Sequence, residues 1–187
     1  MFWAFSRFFH IFLRRPHPKR TKSAQKEFKL DLLPIIDGPT GEVYNEDVNK
    51  LIRNISGDVL YLDPPYNARQ YCTNYHVLET IARYDNPEIK GKTGLRDYTD
   101  QKSVFCIKNK VADAFNELIK NAKFKYIFLS YNNEGLMSFD TIEKIMRKYG
   151  KYKVYMQQYR RFKADNARDA KSDSTIEYLH CLVKEDV

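Results

Sequence analysis

The chain is poor in cysteine, and its few cysteines are not paired. Cys72, Cys106 and Cys181 are odd in number and widely spaced, with no Cys-x-x-Cys among them. This pattern indicates neither a disulfide framework nor a zinc site. The four histidines show no metal-ligand spacing either, so we expect no metal centre. Unpaired thiols are typical of a reducing compartment, and the expected location is the cytoplasm.

Glycine is also scarce, and no long hydrophobic run is present. The seven glycines include no Walker-type phosphate loop. The apolar residues 1–13 are too few to span a membrane, and the basic residues that follow reverse the order of a signal peptide. We therefore expect no membrane partner and assign residues 1–30 to an N-terminal segment and linker. We expect the apolar part of this segment to pack on the rest of the protein or to derive from a longer N-terminal region. A helix that lies on a membrane surface is the alternative.

What the chain has in excess is positive charge. Its 187 residues carry a net charge of +8 with a pI near 9.2, which favours a polyanionic partner without identifying one. The length suits one domain with a substantial core, which we assign to residues 31–187.

Helix-like and strand-like patterns alternate along residues 31–187, which predicts the α/β class. An apolar run at 58–62 indicates a fully buried strand. The predicted strands are 32–36, 43–44, 58–62, 124–130, 153–159 and 175–184. The predicted helices are 46–55, 74–84, a segment that begins after Ser103 as N-cap, and 139–149. Residues 88–102 and 163–174 are predicted loops.

The motif Asp63-Pro64-Pro65-Tyr66 stands where the buried strand would end, the position at which open α/β sheets bind ligands. The two prolines have no N–H, so a stiff turn presents carbonyl acceptors. Asp63 and the Pro64 carbonyl can accept the two hydrogens of an exocyclic amine, while the Tyr66 ring stacks on the planar base that carries this amine. We interpret these four residues as catalytic, with the ring of Tyr66 rather than its hydroxyl as the important part.

Around this motif the chain resembles the D12 class of adenine-N6 DNA methyltransferases. The resemblance is carried by YLDPPYNARQY (residues 61–71), FLSYNNEG (128–135) and IEYL (176–179), and it runs from about Val43 to the C-terminus. It implies a Rossmann-like fold with an antiparallel C-terminal hairpin. It also implies S-adenosylmethionine as cofactor and adenine N6 in double-stranded DNA as substrate, in a restriction–modification system.

The resemblance extends to further residues. Asp47, in a segment similar to one that reaches the cofactor's adenine, and Asp63 are the expected cofactor contacts. DNA contacts are expected after the motif, at the end of the next strand and on a basic stretch: Asn67, Arg69, Tyr71, Asn132, Arg160, Arg161 and Lys163. A structural ion pair for Arg69, a turn closed by asparagine side chains at 130–133 and a solvated loop for the basic stretch are the alternatives.

The sequence departs from the family in one respect, since it contains no Phe-x-Gly-x-Gly cofactor loop. We therefore expect only the C-terminal half of the methyltransferase sheet, working with a separate N-terminal methyltransferase fragment or a restriction-system subunit. Two other functions stay open: a catalytically inactive DNA-binding remnant, and methylation of an amine on RNA or protein.

Overall fold

The computed structural model describes residue 34, residues 37–160 and residues 174–185. These residues belong to two compact units. The first contains residues 34, 37–44 and 75–99, and the second contains residues 45–74, 100–160 and 174–185. Residues 1–30, most of the predicted strand 32–36 and nearly all of the predicted loop 163–174 lie outside the described residues.

The described part of the second unit is built on one sheet of four strands in the order β1-β2-β4-β3. Strand β1 is parallel to β2, whereas β4 is antiparallel to both β2 and β3. The α/β class and the antiparallel C-terminal hairpin are thus confirmed. The strands are β1 Ser56–Leu62, β2 Lys123–Asn132, β3 Gly150–Arg160 and β4 Ser174–Lys184.

The helices of the described residues are shorter than the sequence pattern predicts. They are α1 Val48–Leu51, α2 Tyr71–Asn74, α3 His76–Arg83, α4 Val111–Asn121 and α5 Phe139–Met146, with 3-10 helices at Thr99–Gln101 and Val104–Cys106. Ser103 is an N-cap as predicted, but it caps the second 3-10 helix. Ile107 then adopts extended backbone, and α4 begins only at Val111. The predicted strand 43–44 is wrong: Val43 and Tyr44 are exposed and belong to no strand.

In the first unit, a buried arginine joins helix α3 to the segment that follows it. The Arg96 guanidinium donates to both carboxylate oxygens of Asp85 at 3.1 and 2.5 Å, and to the Thr80 hydroxyl at 3.4 Å. Because the arginine is buried, its charge is held by a paired carboxylate rather than by water. Predicted loop 88–102 is confirmed except for an isolated bridge between Lys90 and Leu95 and the first 3-10 helix.

The core of the second unit lies on one face of the sheet, under α4 and α5. Alternate residues of β2, namely Ile127, Leu129 and Tyr131, are completely buried there. The helices contribute the matching apolar stripes: Val111, Ala114, Phe115, Leu118 and Ile119 from α4, and Ile142, Ile145 and Met146 from α5. Lys184, which is buried, donates to the Ile119, Lys120 and Ala122 carbonyls at the end of α4, so this helix is fastened to β4.

The opposite face of the sheet is apolar but exposed. Val59 and Tyr61 of β1 are 57% and 61% exposed, and Tyr155 of β3 is 53% exposed. The pairing Val59–Tyr126–Val183 carries this face across β1, β2 and β4. We call Val59, Tyr61, Tyr126, Tyr155 and Val183 the open sheet face. The prediction of a fully buried β1 is wrong, because β1 is the last strand of the described sheet and is covered on one face only.

His180 lies in the core face of β4 with no exposed surface. Its Nδ1 is 2.7 Å from the Tyr152 hydroxyl, while Nε2 is buried and has no hydrogen-bond partner among the described residues. The Phe139, Tyr152 and Tyr178 rings surround it at centroid distances of 5.5, 5.9 and 5.6 Å. Burial lowers the pKa of His180 to about 4, against the opposing effect of Glu143.

This buried histidine predicts a pH-dependent stability. The unfolded chain binds a proton at His180 near pH 6.5, whereas the folded chain does so only near pH 4, so stability falls as the pH falls between these values. The expected contribution is about 3 kcal/mol. Denaturant unfolding of the wild type and His180→Phe at pH 7, 5.5 and 4 measures it. The two proteins should differ in pH slope across this window, and equal slopes would contradict the assignment.

Candidate active site

The motif leaves the sheet at the carboxyl end of β1, beside the carboxyl end of β2. Leu62 pairs with Leu129, so Asp63 and Ser130 are the next residues on the two parallel strands. Asp63 is exposed, while Pro64, Pro65 and Tyr66 are half-buried. The structure therefore presents a carboxylate at the edge of the sheet where parallel strands place ligands.

The Tyr66 hydroxyl joins the two strand ends. It donates to Asp63 Oδ1 at 2.9 Å and lies 3.0 Å from Ser130 Oγ. Burial raises the pKa of Tyr66 well above its ordinary value, and the Asp63 carboxylate adds to the rise, whereas the Ser130 hydrogen bond opposes it. The phenol is therefore neutral and able to donate. The hydroxyl of Tyr66 therefore has a structural role as well, while the greater importance of the ring for activity stays a prediction.

Tyr131 supports the ring of Tyr66 from the core side. The two ring centroids are 5.0 Å apart at an interplanar angle of 61°, an edge-to-face contact. The Leu136 N–H donates to the Tyr66 carbonyl at 2.8 Å, and the Met137 N–H donates to the Tyr131 hydroxyl at 3.2 Å. The segment after β2 thus holds both tyrosines through its backbone.

The motif loop is also fastened at its other end. The Gln70 side chain donates to the Ser103 carbonyl at 3.0 Å and accepts from the Ser103 N–H at 2.8 Å. Asn67 Oδ1 accepts from the Arg69 N–H at 2.9 Å, which closes a turn between the two anchors. Residues 63–70 are therefore held at both ends, as a preorganised site requires.

The predicted DNA-contact residues lie along the same edge. Arg69 and Tyr71 are exposed just after the motif, and Asn132 ends β2. Arg160 pairs with Ser174 beyond the Asn132–Glu177 pair, so the antiparallel hairpin brings the end of β3 to this edge too. Arg161 and Lys163 lie outside the described residues.

Two asparagines at the carboxyl end of β2, Asn132 and Asn133, support the structural alternative at residues 130–133. Asn132 Oδ1 accepts from the Glu134 N–H at 3.1 Å. Asn133 Oδ1 accepts from the Ile176 N–H at 3.0 Å and the Thr175 hydroxyl at 2.9 Å. Both side chains therefore close turns or tie β2 to β4, whatever else Asn132 contacts.

Asp47, the other expected cofactor contact, caps helix α1. Its Oδ1 accepts from the Asn49 and Lys50 N–H groups at 3.0 and 3.2 Å. The carboxylate is exposed, so capping and ligand binding are compatible. Among the described residues no group of His, Cys, Asp and Glu could hold a metal ion. No helix in the described ranges is long and apolar enough to cross a membrane.

Sequence reasoning expected residues 130–133 to lie by the motif and to be able to line the same pocket, but it missed the contacts through which Gln70, Ser130, Tyr131 and Gly135 support the motif. Their signal is weak, because each is an ordinary residue in a strand or turn. Gly135, two residues after the asparagine pair at the end of β2, was the one feature that could have indicated a close approach.

The chain belongs to the D12 class N6 adenine-specific DNA methyltransferase family, whose profile matches residues 5–145. The mixed α/β sheet is consistent with the S-adenosylmethionine-dependent methyltransferase fold, and this family generally uses that cofactor. The matched region begins well before Val43, where the motif-based resemblance begins.

The chain aligns with curated relatives over only part of their length. The chain is 54% identical to "Type II methyltransferase M.NlaIII" of Neisseria lactamica over 166 residues, 87% of the chain and 49% of that protein. It is 45% identical to "Type II methyltransferase M.FokI" of Planomicrobium okeanokoites over 168 residues, 88% of the chain and 26% of that protein. The chain thus spans about half the length of the first relative and about a quarter of the length of the second. No solved structure matches it.

Gly135 provides a test of the support behind the motif. A Cβ at this position would lie 2.1 Å from the ring of the fully buried Tyr131, which packs on Tyr66. Gly135→Ala should lower the free energy of unfolding by about 1–3 kcal/mol, the usual cost of overpacking. Gly38→Ala, where a Cβ meets nothing within 4 Å, is the matched control. Equal unfolding midpoints for the two variants would show that Tyr131 is free to move.

Proposed function

We propose that this chain supplies the substrate-binding and catalytic half of a DNA adenine-N6 methyltransferase of the restriction–modification type. The observation that carries the proposal is the exposed Asp63 carboxylate, held at the carboxyl end of β1 by the Tyr66 hydroxyl. Family membership supports the reaction type, and the basic net charge of the chain favours duplex DNA as substrate.

The chemistry that we propose is positioning of a weak nucleophile. The N6 lone pair of adenine is delocalised into the ring. Acceptors at Asp63 and the Pro64 carbonyl would bind the amine hydrogens, localise the lone pair and offset the positive charge that develops on nitrogen. Pro65 keeps the turn stiff. The target base must leave the duplex stack, and Tyr66 offers an aromatic surface for it.

S-adenosylmethionine would supply the methyl group as an electrophile whose leaving group needs no proton. The residues here fit part of this cofactor: Asp63 and Asp47 are exposed carboxylates that could accept hydrogen bonds from it. The sequence has no Phe-x-Gly-x-Gly segment, in which glycines would let the backbone approach the cofactor closely. The remaining contacts are therefore expected from an N-terminal methyltransferase portion.

Duplex DNA would be held along the edge that carries the motif. Arg69 is exposed there and offers a cation to a phosphate; Asn67 and Tyr71 are near it in the chain, and Asn132 ends the neighbouring strand β2. Arg160 stands at the end of β3 on this same edge. Arg161 and Lys163 would extend the basic surface from the following loop, since cations next to an aromatic side chain suit a nucleic-acid backbone.

The open sheet face supports a separate N-terminal methyltransferase fragment as partner. Strands β1 and β2 are parallel, and parallel sheets are normally covered on both faces. Here α4 and α5 cover one face, whereas Val59 and Tyr61 remain more than half exposed on the other. An apolar face of this kind is typical of an interaction surface. A fragment that covers it would also bring the missing cofactor contacts.

The carboxylate assignment is tested by Asp63→Ala. One preorganised hydrogen-bond partner is worth roughly 3 kcal/mol of transition-state stabilisation, so methyl transfer should fall more than about a hundredfold. Incorporation of labelled methyl groups into unmethylated genomic DNA measures the rate, with the chain alone and with an N-terminal fragment. Asp58→Ala removes an exposed carboxylate from β1, the strand that precedes the motif, and serves as control. Activity of Asp63→Ala within about tenfold of wild type would refute the assignment.

Calorimetry tests whether cofactor binding requires an N-terminal methyltransferase fragment in addition to this chain. The isolated chain should bind S-adenosylmethionine weakly, and an N-terminal methyltransferase fragment should restore binding, less so with Tyr61→Lys on the open sheet face. Duplex DNA should bind to the chain alone, with affinity that falls as salt rises. Micromolar cofactor binding without a partner would show that the cofactor site is complete here. Weak binding with the fragment present, together with intact DNA binding, would favour a DNA-binding remnant.

A further inference from the structure

We propose that Ser130 is a positioning residue for methyl transfer, because its hydroxyl fixes the Asp63 carboxylate through the hydroxyl of Tyr66. This inference rests on the proposed function and deepens its account of the site. The three side chains form one continuous chain of hydrogen bonds, with 3.0 Å between Ser130 Oγ and Tyr66 Oη and 2.9 Å between Tyr66 Oη and Asp63 Oδ1.

The chemistry of the three groups sets the direction of this chain. An ionised carboxylate only accepts hydrogen bonds, so the single proton of the Tyr66 phenol goes to Asp63. The Ser130 hydroxyl must then donate to the Tyr66 oxygen. Burial, which raises the pKa of Tyr66, keeps the phenol protonated and preserves this direction. Donation by Ser130 also polarises the phenol, which strengthens its bond to the carboxylate.

This chain of hydrogen bonds determines which oxygen of Asp63 can accept a hydrogen bond from the substrate. With Oδ1 held by Tyr66, rotation of the carboxylate is restricted, and Oδ2 is left as the acceptor for the adenine amine. The same hydroxyl holds the Tyr66 ring against β2, because one end of its hydrogen-bond chain is a strand residue. Loss of either hydroxyl would therefore loosen the carboxylate and the stacking surface together.

Ser130 is well placed to be the fixed end. It is half-buried in β2, pairs with Leu179 of β4 and precedes the completely buried Tyr131. Its backbone is thus held by the pairing with β4 and by the buried residue that follows it, so its hydroxyl is a stable reference point for the exposed Asp63. Sites supported in this way keep a productive geometry, whereas unsupported side chains sample many.

Methyl-transfer kinetics of Ser130→Ala test the positioning role. In the presence of the N-terminal methyltransferase fragment, the lost hydrogen bond should lower kcat about tenfold at saturating S-adenosylmethionine, with KM for unmethylated genomic DNA little changed. Ser130→Thr keeps a hydroxyl and should recover most of the rate. Ser56→Ala removes a serine from the far end of β1 and should match wild type. An unchanged kcat in Ser130→Ala, or no recovery in Ser130→Thr, would overturn the proposal.

A double-mutant cycle in denaturant unfolding tests the hydrogen-bond chain without any activity. The unfolding equilibrium constants of Ser130→Ala, Tyr66→Phe and the double variant should be non-additive by about fivefold, because both single changes break the same bond. Additivity within twofold would overturn the inference even if the enzyme is active. If the wild type transfers no methyl group even with the N-terminal methyltransferase fragment present but the cycle shows coupling, the proposed function fails while the hydrogen-bond chain is supported.

Discussion

The parallel pairing of β1 with β2 decides what the motif can contact. Because Leu62 lies opposite Leu129, the next residues along the two strands are Asp63 and Ser130, and the Tyr66 hydroxyl can bridge them. A register shift of one residue would turn the side chains of β1 to the other face and separate the motif from its support. The buried alternate residues of β2 hold that register, because Ile127, Leu129 and Tyr131 cannot leave the core without a large cost in apolar burial.

The support behind the motif is made mostly of backbone and hydroxyl groups. Leu136 and Met137 donate backbone N–H groups to the two tyrosines, and Gly135 leaves the room that the Tyr131 ring needs. Hydroxyls and amide groups of this kind fix direction as well as distance. This explains how an exposed aspartate can be preorganised: it is held by a neutral phenol that is itself held by a strand.

The sequence was sufficient for the motif and for the order of the main elements, and it failed where tertiary context decides. An apolar run followed by Asp63-Pro64-Pro65-Tyr66 marks a strand end locally, and the two final strands follow from their own patterns. The exposure of Val59 and Tyr61 could not be predicted, because a run of apolar residues shows affinity for a core but not whether a core is supplied on both faces. Ser130 acts through Tyr66, which is distant in the chain, and Gly135 acts through the room it leaves for the packed ring of Tyr131.

The open sheet face and the cofactor contacts expected from a partner would have one physical cause in common. In a parallel sheet the strands bury both faces, and ligands bind across the carboxyl ends of neighbouring strands. Because β1 is the outer strand of the described sheet, the described residues leave Val59 and Tyr61 exposed and place no strand beside Asp63 on that side. A segment that adds a parallel strand next to β1, with a helix over the open sheet face, would bring its own carboxyl end beside the motif. Burial of the apolar face and completion of the active site would then be one binding event, so that catalysis is coupled to assembly.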